Sequence, residues 1–157
     1  MGEALKKRIQ QAKFSSVFME AHLSLLVAAD SLQRKSEETC ERHGITAPQY
    51  NVLRILRGVH PEGHARCDII ERMIHQAPDV TRLIDRLVKA GLAKRGRSKV
   101  DARLSLTFIT PKGLKLLETM DPEMQSVEAE LKQKMTAKDA KQLSGLLEKI
   151  FADETAV

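Results

Sequence analysis

Arg82, Arg86, Lys89, Lys94, Arg95, Arg97, Lys99 and Arg103 crowd into one short segment, opposed only by Asp85 and Asp101. Those eight cations and two anions leave an excess of six positive charges. The whole 157-residue chain carries +5, so the remainder sums to about −1. Cations gathered this way neutralise phosphates and release the counterions held around a nucleic acid. A solvated helix face followed by a polar loop is the plainer explanation, and it leaves the concentration of charge in one stretch unaccounted for.

The side chains between these cations suit base reading. Thr81 can meet a base edge or a thymine methyl group, and Arg82 can fork onto guanine or a phosphate. Arg86, one helical turn further on, suits a phosphate. Asp79 can accept from a cytosine amino group, or cap the helix and orient Arg82. Gln76, in the turn before the helix, completes this candidate set. Arg97, Ser98 and Lys99 form a second group, placed for a neighbouring minor groove, whose narrow electronegative floor attracts arginine. Asp101 and Arg103 are two residues apart and emerge on one side of an extended segment. The carboxylate could hold the guanidinium fork for DNA. An ordinary surface ion pair, worth about 0–1 kcal/mol, explains the same spacing.

The elements that must position these residues are legible from periodicity. Val80, Leu83, Ile84, Leu87 and Val88 give one buried face to a helix over 78–90, with Pro78 at its first position and Gly91 at its end. A short helix over 67–75, with Ile69, Ile70, Met73 and Ile74 inward, precedes it across a tight turn at Gln76-Ala77. That is the layout of a helix-turn-helix, whose second helix enters the major groove. Residues 92–97 and 104–109 form an antiparallel strand pair. Leu104, Leu106 and Phe108 share one face of the second strand, and Ser105 and Thr107 share the other. Upstream, Thr46-Ala-Pro-Gln49 is a capping box opening a helix with Tyr50, Val52, Leu53, Ile55 and Leu56. His60-Pro-Glu-Gly63 makes a loop that leads into a first short strand.

Both ends of the chain read as helical. Phe14, Phe18, Ala21, Leu25, Ala28 and Leu32, spaced by three and four, form one stripe of a single long helix that stops at Gly44. Leu23, Leu26 and Val27 widen that surface, so the helix needs partners on two sides. At the other end Thr110 caps a helix with Pro111 first, and Leu114, Leu117, Met124, Val127, Leu131 and Met135 line it. Asp121-Pro122 predicts a kink or break. Thr136-Ala-Lys-Asp139 starts a last helix with Leu143, Leu146, Leu147 and Ile150. The expected order is α–α–α–α–β–β–α–α: a mainly α fold with a small β-hairpin.

Several function classes are excluded. Residues 1–10 are polar, and no apolar run approaches the ~20 residues of a membrane span, so a cytoplasmic protein without a membrane partner is expected. Cys40 and Cys67 are too few for a disulfide scaffold. The absence of Trp and the scarcity of aromatics argue against stacking single-stranded bases. Cys40 with His43 supplies two metal ligands where zinc takes three or four. Cys40 also lies near a helix carboxy end, among Glu37, Glu38 and Glu41, which oppose a reactive thiolate, although Arg42 and His43 are near. No nucleophile–base pair or phosphate loop appears. An enzyme is not expected, nor is a cofactor.

The run Ala77-Pro-Asp-Val-Thr-Arg-Leu-Ile-Asp-Arg-Leu-Val-Lys-Ala-Gly-Leu-Ala-Lys-Arg95, the Asp101-Ala-Arg103 triplet and Leu106-Thr-Phe-Ile-Thr-Pro-Lys-Gly113 together resemble the MarR (multiple antibiotic resistance regulator) family of bacterial winged-helix repressors. Thr46-Ala-Pro-Gln-Tyr-Asn-Val-Leu53 resembles that family's second helix. The resemblance runs from about Leu25 to the end. It implies a winged helix-turn-helix lobe over 46–112, with a recognition helix and a wing whose Arg103, held by Asp101, enters the minor groove. It also implies an obligate homodimer joined through residues 1–45 and 113–157, with Phe14, Phe18, Leu25, Leu131, Leu143, Leu147 and Ile150 at the interface. The implied partners are a pseudo-palindromic double-stranded operator and a small-molecule effector bound between the dimerisation helices and the DNA-binding lobe. Two departures stand out: Leu104 replaces a frequent second arginine, and Pro122 interrupts a helix the family keeps continuous. The alternatives are a winged-helix module binding an acidic protein, and a redox- or metal-sensing member of the same family.

Overall fold

The computed structural model describes residues 2–75, 79–98, 100–101 and 103–152. The described elements are α1 (Glu3–Ile9), α2 (Val17–Arg42), α3 (Ala47–Gly58), α4 (Arg66–Glu71), α5 (Val80–Lys89), β1 (Ala93–Arg97), β2 (Ser105–Ile109), α6 (Pro111–Lys134) and α7 (Ala137–Phe151). They fall into two compact units, Met1–Asp121 and Pro122–Val157.

In the first unit the amino-terminal region is two helices, where one long helix was expected. The Ser16 hydroxyl accepts the Met19 backbone N–H at 3.1 Å, which starts α2 at Val17 and leaves Phe14 ahead of the cap. The polar leader contains α1, which buries Leu5. Serine at such a position favours a helix start because its side chain satisfies an otherwise unpaired N–H.

Helix α3 opens as its capping box dictates. Gln49 Oε1 accepts the Thr46 N–H at 2.9 Å, and Thr46 Oγ1 accepts the Gln49 N–H at 3.4 Å. Its Val52, Leu53 and Leu56 are buried and form the core with Ile69 of α4, Ile84 and Leu87 of α5, and Leu117 and Met120 of α6. Burial of each large aliphatic side chain contributes about 1.5–3 kcal/mol. Arg57 Nη1 donates to both carboxylate oxygens of Asp121 at 3.0 and 2.8 Å, a charge-assisted contact that ties α3 to α6 beside this core.

Helix α4 is shorter than expected. The Arg72 and Met73 N–H groups turn back to the Ile69 and Ile70 carbonyls at 3.2 Å, and the Ile74 N–H goes to Asn51 Oδ1 at 3.0 Å. The chain has therefore left the helix before Ile74. Ile69 is buried, but Ile70 and Ile74 are exposed, contrary to the inward face expected for them.

The hairpin pairs Ala93 with Ile109, Lys94 with Phe108, Arg95 with Thr107, Gly96 with Leu106 and Arg97 with Ser105. Period-two alternation in β2 holds, and the inward face is that of Thr107 and Ile109. Thr107 also exchanges backbone hydrogen bonds with His64 at 2.8 and 3.0 Å, which supplies the short upstream strand as a single bridge. Phe108 lies on the other face, its ring over Gly63 and Gly96. A Cβ at either glycine would come within about 3 Å of that ring.

Thr110 caps α6 through the Gly113 N–H at 3.1 Å. The helix continues through Pro122, where a kink or break was expected, so there is no break. Proline costs the hydrogen bond to residue i−4, here the Glu118 carbonyl. Glu118 and Pro122 are both exposed, so that carbonyl can turn to solvent.

In the second unit Thr136 caps α7 with Asp139: Oγ1 accepts the Asp139 N–H at 3.2 Å, and Asp139 Oδ2 accepts the Thr136 N–H at 2.9 Å. None of the residues of α7 is buried, although the helix carries Leu143, Leu146, Ile150 and Phe151.

Candidate nucleic-acid interface

Helix α5 begins at Val80, two residues later than expected, because Asp79 is its cap. Asp79 Oδ1 accepts the Arg82 N–H at 2.9 Å, and Asp79 Oδ2 lies 3.7 Å from Arg82 Nε. The carboxylate thus starts the helix and stands beside the guanidinium, as one of the two readings of Asp79 anticipated. Val80, Ile84 and Leu87 are buried, while Thr81, Arg82, Asp85, Arg86 and Lys89 are exposed. The sequence periodicity fixes this division, since residues three and four apart share one side of a helix.

Gly91 ends the helix at a φ of 73°, a left-handed conformation that glycine adopts without a Cβ penalty. The carbonyls released there are taken by the start of α6. Lys112 Nζ donates to the Ala90 carbonyl at 2.8 Å, Thr110 Oγ1 to that of Gly91 at 2.7 Å, and the Thr110 N–H to that of Leu92 at 3.1 Å. Gly113 allows this approach, because a Cβ on it would stand 2.3 Å from the Leu92 oxygen.

The hairpin is tied to α5 a second time. Arg95 Nη2 on β1 donates to Asp85 Oδ1 at 2.6 Å. Neither residue was paired in the sequence reading, because a ten-residue separation across a helix end and a strand leaves no periodic signal. Lys94 Nζ stands 6.0 Å from the centre of the Phe108 ring, at the outer limit of a cation–π contact.

At the hairpin tip the polar side chains fold the backbone. Ser98 Oγ accepts the N–H groups of Val100 and Asp101 at 3.1 and 3.2 Å. Asp101 Oδ1 accepts the Arg103 N–H at 2.9 Å. The Ser98 N–H reaches the Leu104 carbonyl, and the Leu104 N–H the Asp101 carbonyl, both at 3.0 Å. The expected Asp101–Arg103 relationship is present in a different form: the carboxylate holds the arginine's backbone. Among the described residues no ion pair joins Asp101 to the Arg103 guanidinium. Small acceptors two or three residues upstream of an N–H make such turns routinely. Gln76 and Lys99, both expected DNA contacts, lie outside the described residues.

The arrangement therefore offers an exposed basic helix face and a basic hairpin in one unit, with Arg82, Arg86 and Arg103 exposed and Arg97 at the strand end before the tip. The residues expected at a subunit interface range from exposed to half-buried. Phe18 is 81% exposed, and Leu143 and Ile150 are exposed, while Phe14, Leu25, Leu131 and Leu147 are half-buried.

Cys40 is fully buried, and burial pushes its thiol up to about 11, with Glu37 and Glu41 adding to the shift. That combination suits an inert core thiol rather than a redox sensor. Cys67 is exposed at the start of α4. Among the described residues no three His, Cys, Asp or Glu side chains gather where they could hold a metal ion, and no helix is long and apolar enough to cross a membrane.

Comparison with known proteins agrees with this geometry. Residues 43–104 match the profile of the MarR family. The chain is 37% identical to a MarR transcription factor from Planctomyces limnophilus of known crystal structure, with a TM-score of 0.65, covering 87% of this chain and 98% of that one. It is 32% identical over 98 residues to the HTH-type transcriptional regulator TtmR of Methylorubrum extorquens (strain PA1). That match takes in 62% of this chain but spans only about half (49%) of the regulator's length. The fold is shared with S. aureus MepR, solved as a DNA complex, at 21% identity and a TM-score of 0.74, covering 90% of this chain and 99% of that one.

Proposed function

The chain belongs to the MarR family of transcriptional regulators, DNA-binding proteins rather than enzymes, and from that premise we propose that it is a homodimeric repressor of a pseudo-palindromic operator. In this reading α5 enters the major groove and the hairpin is a wing over the adjacent minor groove. Thr81 and Arg82 meet base edges, Arg86 meets a phosphate, and Arg97 and Arg103 serve the minor groove. Gln76 and Lys99 extend the two groups. The observation that carries the proposal is the outward face of α5, with Thr81, Arg82, Arg86 and Lys89 exposed in the same unit as the basic hairpin.

Residues 1–45 and 113–157 join two copies in this proposal, and residues 46–112 hold the DNA. Support comes from the apolar side chains left uncovered in each unit: Val17 and Phe18 on α2, and Leu143, Leu146, Ile150 and Phe151 on α7. A second copy of the chain is the occupant that covers them. An effector acts in the cytoplasm by changing the separation of the two recognition helices, which half-sites about 34 Å apart fix closely.

Binding to duplexes drawn from the source genome, followed by fluorescence anisotropy, tests the proposal. Tight, salt-sensitive binding to one inverted-repeat sequence by a species of twice the chain mass is expected. Binding that unrelated DNA competes away equally, or capture of acidic proteins in place of DNA, overturns it.

A further inference from the structure

Val100 is 99% exposed, at the very tip of the hairpin. A single exposed apolar residue is ordinary on a protein surface. This one is held in place by the turn around it. Its own N–H is bonded to Ser98 Oγ, the next residue's N–H is bonded to the same oxygen, and Asp101 fixes Arg103 beyond. Its β-branched side chain has few rotamers to lose when a surface covers it. In the sequence Arg97 and Lys99 precede it and Arg103 follows, so an apolar residue is set among cations along the chain.

We infer that Val100 is a non-ionic specificity residue of the wing, resting on the deoxyribose walls of a narrow, A·T-rich minor groove while the flanking cations meet its floor and phosphates. The inference rests on the proposed DNA-binding function. A minor groove displays sugar C–H groups along both walls, and apolar side chains are used there by other proteins. The walls approach one another most closely in A·T tracts, where one small branched side chain can touch them. Val100 carries no charge, so its contribution differs in kind from that of its neighbours.

The test uses the full-length protein and a random-core duplex pool, from which wild type, Val100→Ala and Val100→Thr select sites in parallel. Affinities for the wild-type winner are then measured from low to high salt. The expected result is a loss of about fivefold for Val100→Ala, the effect of two partly buried methyl groups. The salt slope should be unchanged, because no phosphate contact is lost. The A·T preference at the outer positions should flatten in both variants. Wild-type affinity and selection by both variants, beside a weakened Arg103→Ala, would overturn the inference and leave DNA binding by the wing intact. Selection of no sequence by the wild type would overturn the underlying function instead.

Discussion

Asp85 on α5 accepts a hydrogen bond from Arg95 on the first strand of the hairpin at 2.6 Å, so one of the eight cations of the basic segment is paired within its own protein. Both side chains are about half exposed, at 56% and 50%. The pair therefore contributes modestly to stability, about 0.2–1 kcal/mol. Urea unfolding of Asp85→Asn, Arg95→Ala and the double variant should show that coupling, and strictly additive effects would remove it. Asp85→Asn should also bind random DNA more tightly and with a steeper salt dependence, because it releases a cation beside the phosphates.

Arg82→Ala and Arg103→Ala should each weaken binding to the selected operator by about 1–3 kcal/mol and relax preference at one position. Arg86→Ala should weaken all sequences alike and lower the salt slope by about one. Sedimentation should show all three in the oligomeric state of the wild type, since the residues are exposed on α5 and the wing. Full affinity in both Arg82→Ala and Arg103→Ala would sink the proposed interface.

Asp101 separates two accounts of the wing. Its Oδ1 accepts a backbone N–H, a task that an asparagine oxygen performs as well. Asp101→Asn should therefore retain operator affinity to within about twofold, while Asp101→Ala frees the turn and loses more. Equal losses in the two variants would restore the ion-pair account.

Gly113→Ala sets two effects against each other. Alanine favours a helix over glycine by about 1 kcal/mol. The added Cβ, however, would stand 2.3 Å from the Leu92 carbonyl oxygen and 2.8 Å from an Ile109 side-chain carbon. Backbone does not yield as a flexible side chain does, so the clash should prevail and lower stability by about 1–3 kcal/mol. Thermal melts would register it as a lower Tm.

The Cys40 thiol gives a pH prediction. An unfolded cysteine ionises near 9, whereas the folded one holds its proton to about 11. The folded state thus binds more protons between those values, and stability contributed below pH 9 is lost as pH rises through that window. Tyr50 is also raised by burial, so the comparison must be with Cys40→Ala, whose urea midpoint should fall less steeply from pH 9 to 11. A disulfide-exchange reagent at pH 8 should label Cys67 quickly and Cys40 only after unfolding.

Much of this architecture was legible in the residues. The capping boxes at Thr46 and Thr136, the Thr110 cap and the stripe of α5 are local signals, carried within four or five positions. What escaped was set over longer distances or by competing local bonds. Ile70 and Ile74 continue a helical pattern, yet Asn51, more than twenty residues away, takes the N–H that the helix needed. Ser16 interrupts an apolar periodicity that runs straight through it. Pro122 reads as a breaker, but it and Glu118, whose carbonyl it orphans, are both exposed, so the helix continues through it. In the site the charge excess was visible, while its internal wiring was not: Arg95 is matched to Asp85, and the Asp101 carboxylate to a main-chain N–H. Spacing alone does not distinguish a guanidinium from a backbone donor.

The three carbonyls at the end of α5, each satisfied by Thr110 or Lys112, have a consequence for how the protein measures DNA. In the proposed complex, the Asp85–Arg95 tie and this clasp make α5 and the hairpin turn as one rigid calliper. The arc along the duplex between their two points of contact is then a constant of the subunit. An operator with one base pair inserted between the major-groove site and the flanking A·T tract should be rejected by each half independently, even where the spacing between the halves is restored.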